Sequence, residues 1–213
     1  MDAAHRPHQL MRRKIGSGAP DEMLLQENDD IFWMGISKSL DGRYLFVEAS
    51  SKETTEVHYL DLHDSAGTLQ CVAARRHNVL YDVEHRAGQW WIESNVGGLP
   101  NMALFTCPAI PNCADSWELL KEKGSGKVLF DGSYDPSLDG VVCFKGHVVA
   151  SGRQGGIPRV WIIGLEDDDS SSTTAVTKFE MLAFPEEAYD VGLGSHHEFD
   201  ADSVVVAYDS MVT

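Results

Sequence analysis

Apolar segments recur along this chain about every 50 residues, and this period restricts the fold more than any other feature. The positions that open successive segments are Phe32, Tyr81, Leu138 and Tyr189. Short runs rich in β-branched and aromatic residues follow each of them, which favours strands over helices. A repeat of roughly 40 to 50 residues with four strands is typical of a β-propeller, whereas a two-sheet sandwich needs no regular period. The pattern therefore predicts an all-β fold.

The clearest unit is residues 31–62, which read IFWMGISKSLDGRYLFVEASSKETTEVHYLDL. Three strands are predicted there, and residues 69–75 supply a fourth. The dipeptide Asp41-Gly42 favours the positive φ angles of a tight turn between twisted strands. Because an isolated three-stranded meander is only marginally stable, the unit is expected to stack on others of its kind.

The whole chain, residues 1–213, is predicted to be one partial β-propeller of four-stranded antiparallel blades, about three of them complete and two present as fragments. A helical turn is predicted at 116–123, and an acidic low-complexity loop at 166–174. The predicted units are 5–30 (partial), 31–76, 77–130, 134–184 and 187–213 (partial).

Several consecutive segments carry a family resemblance. They are GISKSLDGRYLF, SSKETTEVHYLDL, LYDVEH, SNVGGLPNMAL and EEAYDVGLGSHHEFD. In this order they resemble the β-propeller of the prolyl oligopeptidase family, and most of all its oligopeptidase B branch, which cuts peptides after basic residues. The resemblance covers nearly the whole chain.

The resemblance implies a non-catalytic domain that limits access to the active site of a serine peptidase. Its expected partners are an α/β-hydrolase catalytic domain and, in the parent enzyme, short basic peptides cleaved after Arg or Lys. Two alternatives stay open: a stand-alone propeller that binds proteins or peptides as a scaffold, and a truncated product without a function of its own.

Catalytic residues are not predicted within these 213 residues. A serine hydrolase of this family needs the nucleophile elbow G-x-S-x-G. Ser37 follows Gly35 at the right step, but Lys38 and Ser39 come next instead of the second glycine. The strand–helix alternation of a hydrolase sheet is missing as well. We therefore expect the catalytic domain to be absent from this chain and the chain alone to be inactive.

Two glycine-rich or acidic segments imitate ligand-binding loops. Residues 124–127 (GSGK) resemble the end of a phosphate-binding loop, but the preceding spacing fails and valine follows the lysine. Residues 131–139 place oxygen-bearing side chains at alternate positions, as calcium loops do. Pro136 stands where such a loop needs glycine, and Val142 where it needs glutamate. Turns are the favoured interpretation of both, and no cofactor is predicted.

Histidine and cysteine residues also predict no metal site. His196 and His197 are adjacent, and neighbouring side chains on a strand point to opposite faces. Cys107 and Cys113 lie six residues apart without a second pair at zinc spacing. They are interpreted as structural or free thiols, with a reactive thiol near a channel as the alternative.

Three arginines could face another domain. Arg75 and Arg76 form a basic doublet, and Arg153 stands alone in the segment ASGRQGG. Each is either a cross-domain ion-pair partner or an exposed turn residue, and the pattern does not choose between the two.

Charge limits the possible partners. The formal net charge of −16 argues against nucleic acid, whose phosphates require Lys and Arg. No apolar run approaches the roughly 20 residues of a membrane span. The basic N-terminal segment at 6–14 contains Pro7 and is short for a mitochondrial presequence. Without a secretory segment, the four cysteines are expected to stay reduced, which predicts a cytoplasmic protein.

Overall fold

The computed structural model describes residues 5–64, 67–166 and 175–211. These residues form sixteen strands and one short 3-10 turn, with no α-helix among them. Within them, no helix has the length and apolar character needed to cross a bilayer. The strands are β1 Gln9–Arg12, β2 Glu22–Gln26, β3 Trp33–Lys38, β4 Tyr44–Ser50, β5 Thr55–Asp61, β6 Gln70–Ala73, β7 Tyr81–Arg86, β8 Gln89–Ser94, β9 Ala103–Pro108, β10 Glu118–Leu119, β11 Ser137–Cys143, β12 His147–Gln154, β13 Ile157–Leu165, β14 Val176–Met181, β15 Tyr189–Leu193 and β16 Val206–Ser210.

The strands form three four-stranded antiparallel sheets and two hairpins. The first sheet is β3–β6, the second β7–β10 and the third β11–β14, and the strands of each are paired in chain order. β1 pairs with β2, and β15 with β16. This arrangement confirms the prediction of an all-β partial propeller with about three complete blades and fragments of two.

Successive sheets pack face to face. The second sheet is covered on both faces, and every residue of β8 is buried as a result. Trp90 and Ile92 belong to the apolar core shared with the first sheet, whereas Trp91 belongs to the core shared with the third. A third core joins the third sheet to β15 and β16 through Val149, Val160 and other residues. The three sheets and the β15–β16 hairpin thus form a continuous stack.

A tyrosine hydroxyl connects the second sheet to the first by hydrogen bonds. The pairing of β5 with β6 shifts register between Val57 and His58, which leaves backbone groups there without a ladder partner. The Tyr81 hydroxyl accepts a hydrogen bond from the Val57 N–H at 2.7 Å and donates one to the Ala73 carbonyl at 2.5 Å. Tyr81 is buried, so these bonds replace both water and the missing sheet contacts.

The helical turn predicted at 116–123 is wrong. The 3-10 turn spans Ala114–Ser116, and β10 then pairs with β9 through Glu118 and Leu119. Trp117 and Leu119 both pack against the core between the first two sheets. This is the two-residue period of a strand, and burial outweighs the few tenths of a kcal/mol that helical charge pairs provide. The low-complexity loop predicted at 166–174 lies, beyond Glu166, outside the described residues.

We predict that Tyr81→Phe lowers the free energy of unfolding by about 1–3 kcal/mol, because two buried backbone groups lose their partner while the ring remains. Urea unfolding measures the change as a shift in midpoint at constant slope. Tyr134→Phe is the matched control, since Tyr134 is 84% exposed. Equal midpoints for the two variants would contradict this role of the hydroxyl.

Candidate functional site

Two clefts lie where successive sheets meet. Both are lined by residues from the first strands of the sheets or from the turns that follow these strands. The larger, here called the turn cleft, has a volume of about 940 Å³. It lies among the turns after β3, β7 and β11 and the segment at 199–202. The smaller, the carboxylate cleft, has a volume of about 340 Å³ and lies between β7 and β11. These two strands are neighbours, which places the second and third sheets side by side at this edge.

His85 and Asp41 join the first two sheets at the turn cleft. His85 Nδ1 lies 2.5 Å from Asp41 Oδ2, and His85 Nε2 lies 3.2 Å from the backbone nitrogen of Gly88. Because Nε2 accepts the Gly88 N–H, Nδ1 carries the proton and donates to the carboxylate. Burial lowers the pKa of His85 more than Asp41 raises it. His85 is therefore a neutral donor at neutral pH.

Asp41 is held ionised by its other contacts. Burial alone would raise its pKa, but hydrogen bonds from the Ser39 hydroxyl, the Arg43 N–H and His85 outweigh burial and lower it. The Ser39 hydroxyl donates to Asp41 Oδ1 at 2.5 Å. A hydrolytic triad needs the histidine between the serine and the aspartate, whereas here the aspartate is in the middle. This constellation orients side chains and does not activate a nucleophile.

Backbone carbonyls continue the connection from sheet to sheet. Arg86 Nε donates to the carbonyls of Phe144 and Lys145 at 3.0 and 3.1 Å, which ties the second sheet to the third. The Lys145 N–H donates to the Phe199 carbonyl at 2.8 Å, which ties the third sheet to the segment before β16. The turn cleft is consequently lined by groups that connect the three four-stranded sheets and the segment before β16.

Carboxylates dominate the smaller cleft. In the register of β7 and β8, Asp82 lies directly opposite Glu93, and Glu84 lies on the same face because it is two residues from Asp82. Glu93 is buried, and its Oε1 accepts the Val141 N–H at 2.9 Å. Asp139 reaches this cleft from β11, at a shift in the register of that strand. Glu48 lines the same cleft from the first sheet, so that Glu48, Asp82, Glu93 and Asp139 all contribute carboxyl groups to it.

Burial and mutual repulsion raise the pKa of Glu93, Glu84 and Asp82. Burial, together with the charge of Asp82, raises the pKa of Glu93 to about 8. Burial also raises the pKa of Glu84 to about 7, and the charge of Asp82 adds to the effect. Asp82 is exposed to solvent, yet desolvation by the surrounding protein raises its pKa as well. Such a cleft disfavours anions and favours cationic groups.

The described residues contain no group of three or more His, Cys, Asp or Glu side chains placed to hold a metal ion. Residues 124–127 form a turn between Lys121 and Val128, which are bridged. Asp131 Oδ1 accepts the Ser133 N–H of its own loop. His196 Nε2 accepts the Val205 N–H at 3.0 Å, and His197 is exposed. The end of the segment at 131–139 already belongs to β11, which begins at Ser137.

The three arginines singled out in the sequence have different surroundings. Arg75 forms ion pairs with Glu27 and Glu56 and lies over the ring of Phe32, a role inside the propeller that neither interpretation anticipated. Arg76 is exposed and lies 5.3 Å from the ring centre of Trp117. Arg153 is exposed beside the turn after β12 and donates to the Gly156 carbonyl.

Sequence reasoning did not single out the acids of the carboxylate cleft or the His85–Asp41 pair. One signal for the acids is present in the segment YDVEH, where Asp82 and Glu84 alternate with buried residues and must share a face of the strand. The presence of Glu93 in the same cleft depends on the pairing of β7 with β8, which the sequence of this segment does not specify.

Stacked four-stranded antiparallel sheets paired in chain order define the class of β-propeller domains. The chain belongs to the prolyl oligopeptidase family, because the family model described as "Prolyl oligopeptidase, N-terminal beta-propeller domain" matches residues 2–213. It is 30% identical to Protease 2 of Moraxella lacunata over 214 aligned residues, which cover 100% of this chain and 28% of that protein.

Solved structures agree with this assignment. Oligopeptidase B from Trypanosoma brucei, in a closed form with covalently bound antipain, matches with a TM-score of 0.82 and 27% identity. The match covers 100% of this chain and 29% of that one. Oligopeptidase B from Leishmania major matches with a TM-score of 0.82 and 25% identity over 98% of this chain and 28% of that one. The chain therefore spans less than a third of the length of these relatives.

We predict that Glu93→Gln makes stability less dependent on pH. The ordinary pKa of this carboxyl is 4.5, and in the folded protein it is about 8. The folded state therefore binds more protons between these values, and the free energy of unfolding falls as pH rises from about 4.5 to about 8. The amide keeps an acceptor for the Val141 N–H but cannot ionise. The variant should be more stable at about pH 8 by on the order of 1–3 kcal/mol and nearly unchanged at about pH 4.5.

Thermal and urea unfolding at several pH values measure this effect. The matched control is Glu53→Gln, because Glu53 is an exposed turn residue. An identical pH slope in wild type and Glu93→Gln would show that Glu93 ionises normally in the folded chain.

Proposed function

We propose that this chain is the non-catalytic propeller segment of a larger serine peptidase like oligopeptidase B, and that it restricts the access of substrates to a separate α/β-hydrolase domain. The parent enzyme would cleave short peptides after Arg or Lys. The strongest support is the match over the full chain to the oligopeptidase B of Trypanosoma brucei, of which the chain corresponds to 29%.

Restriction of access requires blades that stay together. The links through Tyr81, His85 and Arg86 connect sheets by hydrogen bonds of 2.5–3.1 Å, on top of the apolar cores between the sheets. Separating sheets that are connected in this way would cost free energy. We therefore expect the propeller to exclude a folded protein and to admit a flexible short peptide.

The carboxylate cleft supports a preference for basic peptides. Asp82, Glu93 and Asp139 place their carboxyl groups along one edge of two sheets. An Arg or Lys side chain passing this edge would be attracted over a short range, because salt at physiological strength screens charges beyond about 8 Å. The chemical step of peptide hydrolysis belongs to the hydrolase domain in this proposal.

We also propose a cytoplasmic location. The four cysteines, Cys71, Cys107, Cys113 and Cys143, are all free thiols in the structure, as is usual for proteins of a reducing compartment. Cell fractionation with an antibody against the chain tests this location.

We predict that the isolated chain hydrolyses neither ester nor amide substrates of Arg and Lys. The described residues offer no serine hydrogen-bonded to a histidine base, and peptide hydrolysis of this type needs an activated serine. Fluorogenic substrates and a labelled fluorophosphonate probe measure turnover and serine labelling. Activity that co-purifies with the chain and labels one of its serines would overturn the non-catalytic assignment.

We predict that the complete peptidase containing this chain discriminates by substrate length. Its kcat/KM should fall steeply from short Arg- or Lys-containing peptides to unfolded proteins carrying the same cleavage sequence, because only short chains pass the propeller. The double variant Asp82→Asn and Glu93→Gln should raise KM for cationic peptides and leave neutral peptides unchanged, with Glu53→Gln as control. Equal kcat/KM for long and short substrates would contradict the gating role and favour a stand-alone binding propeller.

A further inference from the structure

Three charged side chains at the turn cleft take no part in the links between the sheets. Lys145, Asp200 and Asp202 line this cleft and are exposed. Within the part of the chain that the structure describes, none of the three side chains has an ion-pair or hydrogen-bond partner. The other charged residues of the cleft have partners inside the chain: Asp41 and Arg86 in the links described above, Arg43 in an ion pair with Asp61, and Glu166 in an ion pair with Lys123.

The backbone at Lys145 is held from two sides although its ammonium group is free. The Lys145 N–H donates to the Phe199 carbonyl at 2.8 Å, and the Lys145 carbonyl accepts a hydrogen bond from Arg86 Nη2 at 2.6 Å. The Phe144 N–H donates to the His147 carbonyl at 2.9 Å and closes the turn between β11 and β12. Because the backbone is already ordered, a ligand has to order side chains only, which lowers the entropic cost of binding.

His147 lies two residues from Lys145 and lines the same cleft. Its ring stacks on that of Phe144, with the ring centres 4.6 Å apart and the planes inclined by 14°. Burial lowers the pKa of His147, and the charge of Asp202 acts in the opposite direction. The imidazole is therefore neutral at neutral pH, and it adds a fixed hydrogen-bonding group beside the ammonium without adding a charge.

The free groups of the cleft amount to one cation and two carboxylates. The hydrogen bond between Lys145 and Phe199 places the segment at 199–202 beside the turn, so that charges of both signs lie close together. A complementary ligand carries one carboxylate and two cationic groups. The volume of about 940 Å³ lies within the roughly 300–1,000 Å³ that is usual for small-molecule sites.

We propose that the turn cleft binds basic amino acids that have a free carboxylate, either free arginine or lysine or a short peptide that ends in one of them. The ligand carboxylate lies at Lys145 and His147, and its ammonium and side-chain cation lie at Asp200 and Asp202. Peptides of this kind are released by a peptidase that cleaves after Arg or Lys, so the identification of the ligand as a product rests on the proposed function. The turn cleft and the carboxylate cleft have no lining residue in common.

Calorimetric titration of the wild-type chain at low ionic strength tests the proposal with four probes. They are L-arginine, the dipeptide Ala-Arg, agmatine, which is arginine without the carboxylate, and citrulline, whose side chain is uncharged. We expect saturable binding of arginine and Ala-Arg at millimolar concentrations. Agmatine and citrulline should each bind about three- to tenfold more weakly than arginine, because each lacks one charged partner. Backbone amide signals at 144–147 and 199–202 should shift in NMR spectra when arginine is added.

Variants assign the two ends of the ligand. Lys145→Gln should remove the preference for arginine over agmatine, whereas Asp202→Asn should weaken the binding of both. The matched controls are Lys52→Gln and Glu53→Gln, which make the same kinds of charge change at exposed turn residues and should bind like wild type.

Three results would overturn the proposal: no saturable binding of arginine by the folded chain, equal affinities of wild type for arginine and agmatine, or NMR shifts confined to the carboxylate cleft. The comparison of probes on wild type decides the matter even if a variant fails to fold. Binding is measured without catalysis, so a negative result leaves the proposed restriction of access intact, and loss of that proposal leaves the binding result intact.

Discussion

The structure depends on the burial of the second sheet from both sides. No four-stranded sheet of this kind can cover its own apolar faces, so each needs a neighbour. Trp90 and Trp91 occupy consecutive positions of β8 and are completely buried against opposite neighbours. With about 150–250 Å² buried by a large aromatic side chain, each contributes roughly 4–6 kcal/mol as an upper bound. The stack of blades follows from this two-sided requirement.

The polar contacts between blades serve a different purpose from the apolar cores. Tyr81, His85 and Arg86 all belong to β7, and their hydrogen bonds reach the first sheet or the third. Such contacts have strict geometry, so they fix the relative position of sheets that apolar packing alone would allow to slide. The carboxylates on the same strand act against stability, because like charges are brought together during folding.

Much of the fold could be predicted from the sequence because its signals are local. The turn at Asp41-Gly42, with Gly42 at a φ of 76°, follows from the conformational preference of the dipeptide. The exception was the segment near Glu118, where charge spacing suggested helix and pairing with β9 imposed a strand. The candidate site could be predicted only in part. The alternation of acidic and buried residues in β7 indicates that Asp82 and Glu84 share a face of the strand, but not that Glu93 lies on the same face.

The sequence by itself determined most of the strands, the repeat that makes them blades, and the lack of a nucleophile elbow in the 213 residues, since each of these depends on residues close together in the chain. Only the tertiary structure decided which distant residues meet. The contact of Tyr81 with Val57, the pairing of Asp41 with His85 and the ion pair of Arg75 with Glu27 join different blades or blade fragments. Such contacts depend on how sheets stack and how loops are held, and these follow from burial over the whole chain.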